Sequence, residues 1–389
     1  MNYRAIAFYL PQFYPIPEND VWWEPGFTEW TNVTRAKPLF RGHYQPNLPS
    51  DLGLYDLRVP EVREAQAELA RSHGIEGFCY WHYWFGNGRR ILERVFSEVL
   101  ETGKPDFPFC LGWANDSWSG VWHGAPDRIL IEQQYPGIPD YEAHFKSVLP
   151  AFRDRRYICV DGKPLFLVYK PWLIPNVAEF SALWKGMARD SGLPGLHLVG
   201  IARYADPLQE GFDASVSSAP DVQIDRMPRG LMRRIGDRIS RQILRKQSLD
   251  ILCRDLFGIP RTREYDDFAN SCLTEPIPDY EYPVVVPNWD NTPRSGTNGI
   301  VLNDGSPEAF AALLRRACRL VKGRDPQKRL VFIKSWNEWA EGNYLEPDLR
   351  FGSRFLLSMK EVFESEHEEK QQPESKRENA IFAAAAADN

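Results

Sequence analysis

The chain has 389 residues, 43% hydrophobic, 26% charged and 13% aromatic, enough to bury a full core in one large barrel or two smaller domains. Its 47 basic and 53 acidic residues leave a formal net charge of -6, so no nucleic-acid partner is expected. The six cysteines never form a Cys-x-x-Cys pair, and no apolar run approaches the ~20 residues that cross a bilayer, so a disulfide scaffold, a structural zinc site and a membrane span are not expected.

Strand-like runs rich in β-branched and aromatic residues fall at 4–10, 75–83, 108–113, 164–169, 196–202, 212–217, 282–287 and 329–336, with helical patterns between them. The first run is too short for a secretory signal core, which fits a reduced, cytoplasmic protein. A connection over 11–58, rich in Pro, Trp and Asn, follows the first strand and is too long for a plain turn. Ile91, Leu92, Val95, Phe96, Val99 and Leu100 recur at the spacing of one buried helix face. Asp140 is the expected N-cap of a helix carrying Phe145, Val148, Leu149 and Phe152. A second long connection, 218–262, holds Arg226, Arg229, Arg233, Arg234, Arg238, Arg241, Arg245 and Lys246 beside a helical stripe of Met232, Ile235, Ile239 and Ile243. That segment, 226–246, reads plainly as a solvated amphipathic helix. Read more sharply, its basic face meets an anionic glycan or the inner face of a membrane. Ser306-Pro307-Glu308 is a helix start leading into Phe310, Leu313, Leu314, Ala317 and Val321. Phe355, Met359, Val362 and Phe363 form the last helix. Beyond it, 366–389 is charged, ends in an alanine run, and is expected to be a disordered tail.

Eight strands alternating with helices predict an α/β fold, a (β/α)8 TIM barrel with long loops after strands 1 and 6, filling residues 1–365 as one catalytic domain. A doubly wound sheet would show a glycine-rich turn after its first strand. Here that turn is Leu10-Pro11-Gln12-Phe13-Tyr14-Pro15, and Gly86-Asn87-Gly88 lacks the third glycine. A barrel gathers its strand C-termini at one rim. The polar groups there would be Tyr9 and Gln12, His82 and Tyr83, Asn115 and Asp116, Tyr169 and Lys170, Arg203 and Tyr204, Asn288 and Asp290, then Asn337, Glu338 and Glu341. Trp30, Trp113 and Trp336 stand among amides and carboxylates, as sugar recognition requires: rings stack on C–H faces while polar groups take hydroxyls.

The sharpest local feature is Lys334-Ser335-Trp336-Asn337-Glu338-Trp339-Ala340-Glu341-Gly342. Two carboxylates three residues apart diverge on a strand but become neighbours in a helical turn, and Gly342 lets the chain turn at once. Carboxyl groups ~5–5.5 Å apart suit retaining glycosidases, and ~6.5–9.5 Å suits inverting ones. A solvated surface pair is the bland meaning of Glu-x-x-Glu, and a lone His82 is more often a core residue than a base. No His-x-x-x-His pair, Asp-x-Asp triplet or Gly-x-Ser-x-Gly elbow is present, so neither a metal nor another cofactor is expected.

Five blocks together resemble the WbsX domain: residues 8–13 (FYLPQF), 26–33 (GFTEWTNV), 42–46 (GHYQP), 78–85 (FCYWHYWF) and 335–339 (SWNEW). That family is catalogued as a glycosyltransferase of O-antigen and other surface-polysaccharide clusters and is described as glycoside hydrolase family 99-like. The resemblance covers residues 3–365 and extends more distantly to the endo-α-mannosidases of family 99. It implies a (β/α)8 barrel and a retaining mechanism without metal, in which Glu338 assists attack by the sugar's own 2-hydroxyl and Glu341 is the acid, then the base. It also places Asp290 and Arg294, in the 288–294 block, beside the site. The mannose-contacting residues outside these blocks have no match, so the sugar does not transfer.

The resulting expectation is a retaining enzyme of cell-surface polysaccharide metabolism, acting on an oligosaccharide or polysaccharide in the cytoplasm or at the inner membrane face. Glu338 and Glu341 would be catalytic. Tyr9, Gln12, Trp30, His82, Trp113, Asn115, Asp116, Asp290, Arg294, Trp336 and Asn337 would contact substrate. A sugar-nucleotide-dependent glycosyltransferase and a non-catalytic glycan-binding barrel stand as alternatives.

Overall fold

The computed structural model of the chain describes residues 3–120, 125–201, 207–216, 224, 227, 249–273 and 276–371. Eight parallel strands form its core: β1 (Arg4–Tyr9), β2 (Ile75–His82), β3 (Phe109–Trp113), β4 (Lys163–Val168), β5 (His197–Ile201), β6 (Ala214–Val216), β7 in two pieces (Glu281–Tyr282 and Val284–Val285) and β8 (Leu330–Ile333). Each pairs in parallel with its sequence neighbour, and β8 returns to β1 in the register Ala5↔Val331. The first piece of β7 pairs with β6 and the second with β8, which nearly closes the barrel. The break is Pro283, which has no N–H to give a ladder; its carbonyl still accepts from the Phe332 N–H at 2.9 Å.

Strands covered on both faces must be apolar on both, and β1, β3, β4 and β5 are buried almost throughout. Alternation then assigns each side chain a layer. Phe8 stacks on Trp81 at 4.8 Å and packs on Phe332, across the barrel interior. Tyr9 faces the other way and donates to Gln66 of the helix Pro60–Ser72 at 2.7 Å.

Ser306 caps its helix as expected, its Oγ accepting from the Ala309 N–H at 3.1 Å, and Pro307–Val321 buries the apolar stripe. Asp140 does not cap. The helix begins at Ile138 after Gly137, and the Asp140 carboxylate accepts instead from Trp84 Nε1 at 3.0 Å and the Asn87 N–H at 2.6 Å. Ile91 and Leu92 are buried yet precede the helix Arg94–Thr102, because Leu92 holds a left-handed φ of 58° that no helix accommodates. The last helix, Arg354–Gln371, runs past residue 365. Buried Glu366 accepts from Tyr3 Oη at 2.9 Å and pairs with Lys322 at 3.2 Å. Arg203, Tyr204, the Arg-rich segment 226–246 apart from buried Met227, and residues 372–389 lie outside the described residues. Among the described residues no helix is long and apolar enough to cross a membrane.

Candidate active site

After β8 the chain folds into a hairpin, Asn337–Glu338 pairing antiparallel with Asn343–Tyr344 across the 3₁₀ turn Trp339–Glu341. With three residues per turn, side chains at i and i+3 eclipse, so Glu338 and Glu341 project the same way. Gly342 closes the turn at φ 58°, and a Cβ there would lie 2.8 Å from the Asp290 backbone N. Only glycine fits both the left-handed backbone and that approach, which the Asp290 N–H to Glu341 carbonyl bond at 2.7 Å fastens.

Both carboxylates are buried and meet Arg294, which follows β7. One guanidinium nitrogen, Nη1, lies 2.6 Å from Glu341 Oε1 and 3.4 Å from Glu338 Oε1, so those two oxygens are at most 6.0 Å apart. The other edge of Arg294 holds Glu29, with Nε and Nη2 both 3.1 Å from Oε2. Lys334 Nζ stands 3.9 Å from Glu338 Oε2, which is buried without a hydrogen-bond partner. Three carboxylates thus face two cations. Burial and the Glu338 charge push the Glu341 carboxyl up to about 7, against the opposing pull of Arg294 and Lys334. Burial also raises Glu29, with Arg294 opposing. One proton on Glu341 would neutralise the cluster, as a weakly solvated cleft favours.

These groups line a cleft of about 550 Å³ walled by Trp23, Phe27, Trp81, Tyr83, Trp118, Tyr169 and Trp289, with Gln12, Asn32, Asn291 and Asp116 as further polar lining. Asp116 pairs with Lys170. Burial and the nearby Glu338 raise the Tyr83 hydroxyl, so it remains a neutral phenol. A second groove, about 580 Å³, lies against Trp23, Phe27 and Asn32 and carries no acid pair.

Of the residues expected to catalyse or to contact substrate, Gln12, Asp116, Arg294, Glu338 and Glu341 line the cleft, and the others do not; of the further rim groups, Tyr83 and Tyr169 line it too. Tyr9 is in the helix layer. His82 is there too, its Nε2 2.8 Å from His144 Nε2, so one ring donates and the other accepts. Burial and Arg90 hold His82 down to about 3, hence neutral. Trp113 donates to the Trp84 carbonyl and packs on His144. Asn115 ties the β3 end to the β4 end through both the N–H and the carbonyl of Lys170. Trp30 donates to the Tyr55 carbonyl and packs behind Trp339. Trp336 packs on Phe78, and Asn337 clamps the Leu10 backbone at 2.8 and 3.0 Å. Asp290 takes His43 Nε2, Gln45 Nε2 and Thr292 Oγ1 at 2.6–2.7 Å and braces the turn under Gly342. For Tyr9, His82 and Trp113 the cause is alternation, which assigns adjacent strand residues to opposite layers, while pairing between strands chooses which goes in. Trp81 rather than His82 is therefore the wall. Glu29, Lys334 and Trp289 were missed; the first sits in a quoted block, beside Trp30, on an insertion helix whose placement only packing sets.

A family model described as glycosyltransferase WbsX matches residues 5–359. The chain is 38% identical over 355 residues to proteins from two strains of Xanthomonas campestris pv. campestris, each called uncharacterized protein WxcX; the match covers 90% of this chain and 48% of theirs. The chain therefore spans about half the length of these curated relatives. Its fold is similar to that of the GH99 endo-alpha-mannosidase of Bacteroides thetaiotaomicron, with a TM-score of 0.53 at 15% identity over 95% of this chain and 99% of that one. The complex of that enzyme with bis-tris-propane (14%; 94% and 98% covered) and a glycoside hydrolase-like protein (14%; 93% and 94%) give the same TM-score, 0.53.

Proposed function

This chain belongs to the family described as glycosyltransferase WbsX, and we propose that it is a retaining carbohydrate-active enzyme that cleaves or transfers glycosidic bonds of cell-surface polysaccharide, with Glu338 and Glu341 as its catalytic pair. The observation that carries this reading is two buried carboxylates converging on one guanidinium in an aromatic-lined cleft at the strand C-termini. Their bridged oxygens, at most 6.0 Å apart, are closer than the ~6.5–9.5 Å that leaves room for an inverting water. Glu341, still protonated near neutral pH, gives its proton to the leaving oxygen. Glu338 Oε2, buried and without a partner, accepts the proton of the sugar's 2-hydroxyl. That oxygen then bonds to C1 as the glycosidic bond breaks, giving a 1,2-anhydro sugar. In the second step Glu341 takes the proton of an incoming water or sugar hydroxyl, the new bond forms at C1 as the C1–O2 bond breaks, and O2 recovers its proton from Glu338. Two inversions give net retention.

A sugar-nucleotide donor fits less well. With Glu341 protonated and Asp116 paired to Lys170, Glu29 and Glu338 already balance Arg294 and Lys334, so the lining offers no surplus positive charge for a diphosphate. The test is to incubate the protein with bacterial surface polysaccharides, with and without sugar nucleotides, and measure new reducing ends and acceptor products. Products without nucleotide that fall ~10²-fold or more in both Glu338→Gln and Glu341→Gln support the reading; product only with nucleotide, or full activity in either variant, overturns it. We assign the Arg-rich segment 226–246 as a seat for an anionic glycan or the cytoplasmic face of a membrane. Loss of salt-sensitive liposome or acidic-glycan binding on reversing Arg233, Arg234, Arg238 and Arg241 to Glu tests it; no binding by the unmodified protein at low salt refutes it.

A further inference from the structure

The catalytic cleft holds a third buried carboxylate that the chemistry above does not use. Glu29 opens the helix Glu29–Arg35 in the long connection after β1, far in sequence from the strand-eight hairpin. It is 3% exposed, and it forms an ion pair with Arg294. Arg294 in turn has two working edges. Nε and Nη2 turn to Glu29, and Nη1 turns to Glu338 and Glu341. A guanidinium is planar and rigid, so occupying one edge fixes where the other points.

We propose that Glu29 is a positioning residue of this site: it clamps one edge of Arg294, so that Nη1 is the atom turned to the catalytic pair and Glu341 keeps the proton it donates. Without Glu29 the full guanidinium charge would favour two ionised carboxylates, and the general acid would be lost. With it, the Arg294 charge is already half answered, and the remaining edge holds Glu341 and Glu338 together without stripping the proton. This rests on the reading of Glu341 as the acid. The charged and titratable groups facing Glu341 are Arg294 after β7, Glu338 in the hairpin, Lys334 at the end of β8, Glu29 on the insertion helix and the Tyr83 hydroxyl after β2. Of these, Glu29 alone acts through Arg294 without a role in the proposed proton transfers or a place in the strand-eight loop.

The test compares wild type, Glu29→Gln and Glu29→Asp in the full chain. In Glu29→Gln the alkaline limb of kcat/KM should move to lower pH by ~1 unit or more, the scale set by one nearby charge. Activity at acid pH should be kept to within a few-fold, and Glu29→Asp should restore most of the limb. An unmoved limb, or one shifted to higher pH, overturns the inference. Carboxyl titration followed by ¹³C NMR or difference infrared separates this outcome from failure of the glycan reading. A carboxyl titrating near neutral pH that vanishes in Glu341→Gln and shifts down in Glu29→Gln supports the clamp even if no glycan turns over. A signal unchanged in Glu29→Gln refutes it whatever the activity.

Discussion

Replacing Gly342 by Ala perturbs the turn that aims the proposed catalytic pair, and the structure sets the size of the effect. At φ 58° an L side chain costs ~1–2 kcal/mol. The new Cβ would also lie 2.8, 2.9 and 3.1 Å from Asp290 N, Cβ and O. Two of those atoms are backbone, and the Asp290 carboxylate is tied to His43, Gln45 and Thr292, so this neighbour cannot step aside cheaply. Overpacking of that kind adds ~1–3 kcal/mol. A total of ~3 kcal/mol corresponds to a melting temperature ~4 °C lower in a domain of this size. Two controls separate the parts. Gly103 has φ 70° with no atom within 4 Å of a Cβ, so Gly103→Ala carries only backbone strain; Gly323 has neither strain nor neighbours, so Gly323→Ala should be near neutral. Calorimetry on the three variants should rank them 342, 103, 323 in loss of stability. Gly342→Ala should also lower kcat more than it raises KM, because the shift moves Glu341 relative to Glu338. If Gly342→Ala melts with Gly103→Ala and keeps full turnover, Asp290 does not brace the turn and the argument fails.

Stability should fall as pH rises. Burial raises both Glu341 and Glu346 to about 7 in the folded state, above their unfolded values, so their contribution is complete below about pH 4.5 and is lost through pH 7. Glu341→Gln should flatten that decline in a melting-temperature series; an unchanged slope would contradict the assignment. Removing the Glu366 carboxylate with Glu366→Ala takes away the partner of Tyr3 Oη and Lys322 and should cost ~1–3 kcal/mol, read by denaturant unfolding. A variant as stable as wild type would show that the last helix does not dock through this residue. Trp289→Ala, which strips a buried cleft wall beneath Lys334, should weaken glycan binding about tenfold or more in titration calorimetry while leaving the fold intact.

Local pattern alone determined the strands, their parallel order, and the helix begun by Ser306 and Pro307, because periodicity and capping act within a few residues. It left Glu338 and Glu341 either diverging on a strand or meeting in a turn, and the hairpin around Trp339–Glu341 brings both to Arg294. What it could not decide was direction. Trp81 and His82 are adjacent and equally suited to a sugar site. Pairing of β2 with β1 and β3 turned the tryptophan toward the cleft and the histidine toward His144. Asp140 has every mark of a cap, yet Trp84 and the Asn87 backbone, more than fifty residues earlier, take its carboxylate. Asn337 and Asp290 brace the hairpin and lie outside the cleft lining, because buried amides and carboxylates bind whatever partners the fold brings within about 3 Å. The charge balance of the site depends most on tertiary structure. Glu29, Arg294 and the Glu338–Glu341 turn lie on three separate loops, and only closure of the barrel puts one guanidinium between three carboxylates.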